Sequence, residues 1–451
     1  MANISALSPA QIGGLSTTVI SALTETDIAP LTSKQVAGFT TTGIQALSST
    51  NIAALNTSQV KGFASTQIAA LTTSQLVLAA TQLAVLNAVQ VQAFTTTQIA
   101  DLDTTQIAAF TSTQMGLLTT TQVAAIESTD IAALTTTQVR AMSAAQLNVL
   151  DTTQLGALDT THIAALVLTQ IKDLSTTQIA ELTTTQVGAL TTLQIGALTN
   201  TQIAAIETTD LAALDTTQMA GFTSKQLGAL TTTQVAEIES TDIALLTSAQ
   251  LKGMTSAQVG ALTTTQLGAM TTTQLSSLAN TQLAGLTTTL IAALDTTQAA
   301  ALTSTQIGSL TTTLAAAIES TDIAALTTTQ IKGFTTAQIN AMDTTQLGAF
   351  DTTHIRALTT SQIKGISTTQ IAALTTTQIG ALTTTQIGAF TDAQIANLET
   401  TDIAALDTTQ MGGFTSKQLG AFTTTQCAEI ESTDIALLTS TQLKGVTSAQ
   451  V

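Results

Sequence analysis

From about Leu7 to its last residue the chain repeats one eight-residue arrangement of apolar and polar positions. A clean stretch reads Leu374-Thr375-Thr376-Thr377-Gln378-Ile379-Gly380-Ala381, then Leu382-Thr383-Thr384-Thr385-Gln386-Ile387-Gly388-Ala389. With the positions numbered 1 to 8, position 1 is Leu, Phe, Ile or Met and position 6 is Ile, Val or Leu. Position 2 is mostly Thr, Ser, Asp or Asn, position 5 mostly Gln, and positions 7 and 8 are small. The two strong apolar positions stand five apart within a unit, so a continuous strand would send them to opposite faces. Across the join they stand three apart, the spacing that shares a helix face.

The polar half of the octad reads as a helix start. Position 2 draws on residues whose side-chain oxygen accepts a free N–H at the N-cap, and Gln three residues later stands at the partner position of a capping box. Positions 1 and 6 are then the two ends of a hydrophobic staple. Pro9, at position 3 of the first octad, falls on the first helical residue, where proline fits best. The pattern therefore predicts an all-α repeat solenoid with one N-capped helix of about six residues, roughly 9 Å, per octad. Thr375 and Thr383 are its expected caps, with Gln378 and Gln386 as their partners. Helices this short are unstable alone, so stacking along the array must hold them. The alternative is a β-solenoid with one short strand and a corner per octad. The Thr-Thr-Thr runs favour it; the Ala pairs and the cap preference do not.

A longer period overlies the octad. An acidic variant, Ile-Glu-Ser/Thr-Thr-Asp, starts at Ile126, Ile206, Ile238, Ile318 and Ile430, and at Leu398 with Leu in place of Ile. The offset from 126 to 318, from 206 to 398 and from 238 to 430 is 192 residues, or 24 octads. Residues 94–451 thus form a regular array holding nearly two copies of a long repeat, and residues 1–93 a less regular N-terminal segment. Within that segment the unit 71–77 has seven residues, which shifts the phase and predicts a kink or a lateral contact. Val451 is position 6 of an unfinished octad. The expectation is a chain that continues, or an end that meets another subunit.

Composition narrows the function classes. The hydrophobic fraction is 44% and the charged fraction 9%, which argues against disorder. There are 11 basic and 28 acidic residues, net charge −17, a balance that disfavours nucleic acid and anionic membrane surfaces. No apolar run is long enough to span a bilayer, and the start Met1-Ala2-Asn3-Ile4-Ser5 has neither the basic nor the apolar segment of a Sec-type signal. The ten Phe residues all fall at position 1 and Trp and Tyr are absent, so the aromatics read as core fillers. Cys427, at position 6, reads as a small buried hydrophobe.

Few constellations invite chemistry. Glu127 with Asp130 could recruit Ca²⁺, but the Gly-rich loops that such sites need are missing. Two carboxylates in a first helical turn are adequately explained by the N-terminal partial charge. A cation follows four of the six acidic octads at a fixed offset, which predicts the pairs Asp130–Arg140, Asp242–Lys252, Asp322–Lys332 and Asp434–Lys444 as register-setting contacts between units. His162 and His354 replace Gln at position 5 and read as capping substitutions. Asn3 and Asn56 match the Asn-x-Ser/Thr pattern, and the Thr rows at positions 3 and 4 are left over once capping is satisfied. No nucleotide, zinc or nucleophile motif appears, so no enzyme and no cofactor is expected.

Two resemblances bear on identity. Leu7-Ser8-Pro9-Ala10-Gln11-Ile12 resembles the opening helix of transcription-activator-like effector repeats. Their longer frame and base-reading loop are missing, so no DNA function carries over. In composition, poor in Cys, Trp, Tyr, Lys and Arg and rich in Thr, Ala and acid, the chain resembles Thr-rich bacterial surface-layer proteins and large secreted adhesins. That resemblance implies a structural extracellular protein forming a fibre, rod or surface layer, exported by a route other than Sec. Its main partner would be itself, with neither nucleic acid nor membrane insertion. The alternative is a stalk of a giant adhesin whose Thr rows hold ice or glycans.

Overall fold

The computed structural model describes residues 4–450, so Asn3 and Val451 lie outside the described residues. Among the described residues there are 54 α-helices, two short 3-10 helices and no strand. The chain is an all-α repeat solenoid, and the β-solenoid alternative falls away. Helix length varies from four residues in Thr376–Ile379 to six in Thr192–Ala197. Each helix opens just after the extended position 2, as at Thr375 (φ −77°, ψ 156°). It closes at or before position 1 of the next octad, where Leu198 has φ −58° and ψ 140°. Two extended residues thus make the corner, and among the described residues none has a positive φ. That is why the repeat needs no obligatory glycine at its turn.

The chain falls into two compact units, residues 1–222 and 223–451. In the first, helix Ser112–Leu117 packs on Thr136–Ala141; in the second, Thr296–Ala301 packs on Ser320–Ala325. In each case the neighbour is the third helix along, so a coil holds between three and four octads. Positions 6 and 1 line the inside of the coils, as Ile107 and Phe110 do in one unit and Ile379 and Leu382 in the other. All ten Phe residues are buried there. Phe94 meets Phe110 edge-to-face at 6.2 Å between ring centroids, and Phe414 meets Phe422 at 5.1 Å. Burial of each such side chain contributes about 1.5–3 kcal/mol, offset by the cost of ordering the chain.

Small residues at positions 7 and 8 set how closely coils approach. A Cβ on Gly253 would overlap the Ser224 carbonyl oxygen, and one on Gly285 that of Ser256. Both are position-8 glycines meeting position 3 of an octad 29 residues earlier, so backbone touches backbone there.

The seven-residue unit is absorbed locally. Its helix tightens to the 3-10 turn Thr73–Gln75. Within it, Gln75 bonds to carbonyls 31 and 28 residues back; beyond it, Gln98 bonds to carbonyls 30 and 27 residues back. By Gln114 the offsets are 31 and 28 again. The one-residue loss is accommodated within about one coil, and the same bonding pattern continues through residue 93, with Gln122 reaching Val91 and Phe94.

Candidate functional site, a ladder of buried glutamines

Position 5 is where the fold concentrates its buried polar groups. The Thr375 hydroxyl oxygen accepts the Gln378 backbone N–H at 3.3 Å, and Gln378 Oε1 accepts the Thr375 N–H at 2.9 Å, a complete capping box. The same amide has a second job. Gln378 Nε2 donates to the carbonyls of Leu347 and Phe350 at 2.9 and 2.8 Å, 31 and 28 residues earlier. Gln386 repeats the arrangement with Thr383, Ile355 and Leu358, and Gln194 with Thr191, Ile163 and Leu166 in the other unit.

The physical logic follows from short helices. Each leaves free N–H groups at its start and free carbonyls at its end. One glutamine side chain accepts from the start of its own helix and donates to the end of a helix in the preceding coil. Each bond contributes about 0.5–1.5 kcal/mol net, whereas leaving such a buried group unpaired costs about 1–3 kcal/mol. Repeated coil after coil, the amides form a ladder that joins nearest neighbours, the mode of stability expected of repeat arrays.

Gln378 and Gln386 are legible in the sequence as cap partners; the ladder is not. A signal was available: a capping box takes Glu as readily as Gln, yet Glu never occurs at position 5 in this chain. A group that both donates and accepts serves best there. His is such a group. His162 Nδ1 accepts the Asp159 N–H at 3.2 Å, and Nε2 lies 2.6 Å from the Leu134 carbonyl. His354 does the same with Asp351 and Leu326. Because a carbonyl can only accept, the proton is assigned to Nε2. The cap carboxylates beside them, Asp159 and Asp351, are held below the usual Asp range first by the hydroxyls of Thr161 and Thr353, then by the His backbone N–H groups.

The acidic octads depart from this scheme. Glu127, Glu207, Glu239, Glu319 and Glu431 stand at the N-cap, and none of these side chains caps its helix. The Asp at position 5 is buried in all six acidic octads, where a carboxylate has no N–H for the preceding carbonyls. The Asp residues of the expected charge pairs lie buried and their cations lie exposed. Asp130 accepts from the Thr104 hydroxyl at 2.8 Å in the preceding coil and does not pair with Arg140. Asp322 and Asp434 likewise face inward, while Lys332 and Lys444 are exposed. Asp242 is buried and Lys252 exposed in the same way. Position 5 looks into the stack and position 7 looks out to solvent. Among the described residues a Lys–Asp side-chain pair, Lys417–Asp392 at 2.7 Å, stands on the surface.

Burial raises the carboxyls of Asp130, Asp322, Asp402 and Asp434 above the ordinary Asp value. The Thr104 hydroxyl opposes this at Asp130, while Glu127 and Asp103 add to it. At Asp322 the neighbouring charges are Glu319 and Asp295, and both push the same way. Cys427 is only partly buried, unlike its fully buried counterpart Val235, and burial raises its thiol. Among the described residues no three His, Cys, Asp or Glu side chains are grouped to hold a metal. No described helix is long and apolar enough to cross a membrane.

A family model described as the ALTTAQ repeat matches residues 36–73, 123–160, 163–200, 203–237, 235–272, 315–352, 348–384, 372–400 and 395–429, well over half of the chain. The stretch it skips after 272 contains departures from the octad, among them Ala279 at an N-cap and Leu290 and Leu314 at position 5. No curated protein matches the chain.

Proposed function

Since the chain belongs to the ALTTAQ repeat family, we propose that it is a structural protein of the cell exterior that assembles with copies of itself into a fibre or surface layer. The family supports a structural repeat role. The observation that carries the finer reading is the glutamine ladder. The most buried polar side chains are committed to bonds between one coil and the next, as in Gln378 to Leu347 and Phe350. A chain whose internal polar groups serve coil-to-coil cohesion is suited to spanning distance and bearing load. The weakly charged, Thr-rich exterior is compatible with close lateral packing. Electron microscopy of the purified full chain at rising concentration tests the reading; ordered fibres or sheets support it, and dispersed monomers at every concentration sink it. Proteolysis of intact producing cells tests the location separately, since a surface protein is shaved and an interior one survives.

A second reading rests on the Thr rows. Thr376 and Thr377 are exposed at positions 3 and 4, and the pattern recurs at Thr384 and Thr385. These hydroxyls stand free of the ladder and would serve a stalk that binds ice or glycans. Thermal hysteresis and a glycan array decide it, and silence in both retires it.

A further inference from the structure

Asn51 supplies the key to the acidic octads. It stands at position 5, almost wholly buried, and its Nδ2 donates to the Leu23 carbonyl at 2.9 Å, 28 residues earlier. A side chain as short as Asp therefore reaches the ladder carbonyl, provided it carries a hydrogen. Asp130, Asp322 and Asp402 occupy the same position with the same burial. The corresponding carbonyls belong to Leu102, Leu294 and Leu374. In Asp322 one carboxyl oxygen, Oδ2, is buried without a hydrogen-bond partner, an arrangement that costs free energy for a charged group and is relieved by a proton.

We propose that the acidic octads are proton-operated links in the solenoid. In the protonated state each buried Asp donates its O–H to the position-1 carbonyl 28 residues back, as Asn51 does, and closes the ladder. On ionisation the proton leaves to solvent, the carboxylate faces carbonyl oxygen, and the link between those two coils is loosened.

The surroundings favour this assignment. Around Asp322 stand Glu319 on its own helix, Asp295 at the N-cap of helix Thr296–Ala301 on one side and Asp343 at the N-cap of Thr344–Gly348 on the other. Around Asp130 stand Glu127, Asp103 at the cap of Thr104–Ala109 and Asp151 at the cap of Thr152–Gly156. Asp402 has Glu399 on its own helix. Helix Thr376–Ile379 brings it no charge, and Thr424–Ala428 ends at Glu429. Every charged group so placed is acidic. Burial raises these carboxyls above the ordinary value of 3.8. The sign follows: a raised folded-state value gives stability that is full below the unfolded value and lost as pH rises through the folded one. The solenoid should tighten on mild acidification, contrary to the usual acid weakening of proteins.

The test uses the full chain in three forms. One is unchanged; one carries Asp130→Asn, Asp322→Asn and Asp402→Asn; one loses three exposed charges through Asp101→Asn, Asp173→Asn and Glu237→Gln. The temperature of half-loss of helical circular dichroism is followed from pH 7.5 to pH 4. The unchanged chain should melt higher as pH falls. The buried-site variant should melt higher than it at pH 7.5, with the gap closing towards pH 4, while the exposed-site variant keeps the unchanged chain's pH slope. Equal slopes in all three forms, equal flattening in both variants, or a buried-site variant that melts lower at pH 7.5 or fails to fold would each overturn the proposal.

Discussion

The octads 374–381 and 318–325 share one backbone plan but differ in what position 5 can do. Both bury positions 1 and 6, Leu374 and Ile379 in one, Ile318 and Ile323 in the other. In the first, Thr375 and Gln378 close a capping box, and the amide ties two carbonyls of the preceding coil. In the second, Glu319 caps nothing and Asp322 has no hydrogen to give when ionised. The apolar positions therefore suffice for the shape, and the amide decides how firmly successive coils are joined. Because the acidic octads recur at 126, 206, 238, 318, 398 and 430, they stand 80 or 32 residues apart, the shorter spacing close to one coil.

The sharpest way to break the comparison is to make a regular octad fail as an acidic one does. Gln378→Glu keeps size and cap acceptor but removes the donor and adds a buried charge. A buried, unpaired charge costs about 3–5 kcal/mol, so this change with Gln386→Glu should depress the urea midpoint of the full chain's second half by far more than any surface change. Next in size is the cap. Thr375→Val, Thr383→Val and Thr391→Val together remove three accepting oxygens, each costing about 0.5–2 kcal/mol. Val at Thr376 and Thr384, one position later, should cost much less, and equal melting of the two variants would contradict the capping role.

The reverse change sharpens the comparison. Glu319→Thr supplies an acidic octad with the missing cap acceptor and should raise stability by about 1 kcal/mol, measured as a higher melting temperature at pH 7. Smallest of all should be Gln378→His. His162 and His354 already make the cap bond and one of the two bonds to the preceding coil, so a loss beyond about 1 kcal/mol, within the range of one hydrogen bond, would show that the ladder is not the reason His is accepted there.

The short helix was legible because three local signals share one register: the N-cap at position 2, the Gln at position 5 and the apolar pair at 6 and 1. Pro9 at the first helical residue agreed with them. The ladder was not legible, because the partners of Gln378 lie 28 and 31 residues away, and nothing local fixes how many octads make a coil. The inward placement of Asp130 was hidden for the same reason. Asp130 and Arg140 are near in sequence, but positions 5 and 7 face opposite ways once the coil closes. Only the preference for Gln and His over Glu at position 5 hinted that the side chain donates to something distant.

That donation can be read directly. In the full chain labelled with ¹⁵N only at glutamine, side-chain amide exchange with deuterated solvent reports every Nε2 hydrogen at once. The ladder requires most of these amides, including those of Gln378 and Gln386, to exchange slowly, at rates comparable to the backbone amides of buried positions such as Ile379. If they exchange within the dead time while the backbone amides remain protected, the coils are held by apolar packing alone and the ladder does not join them.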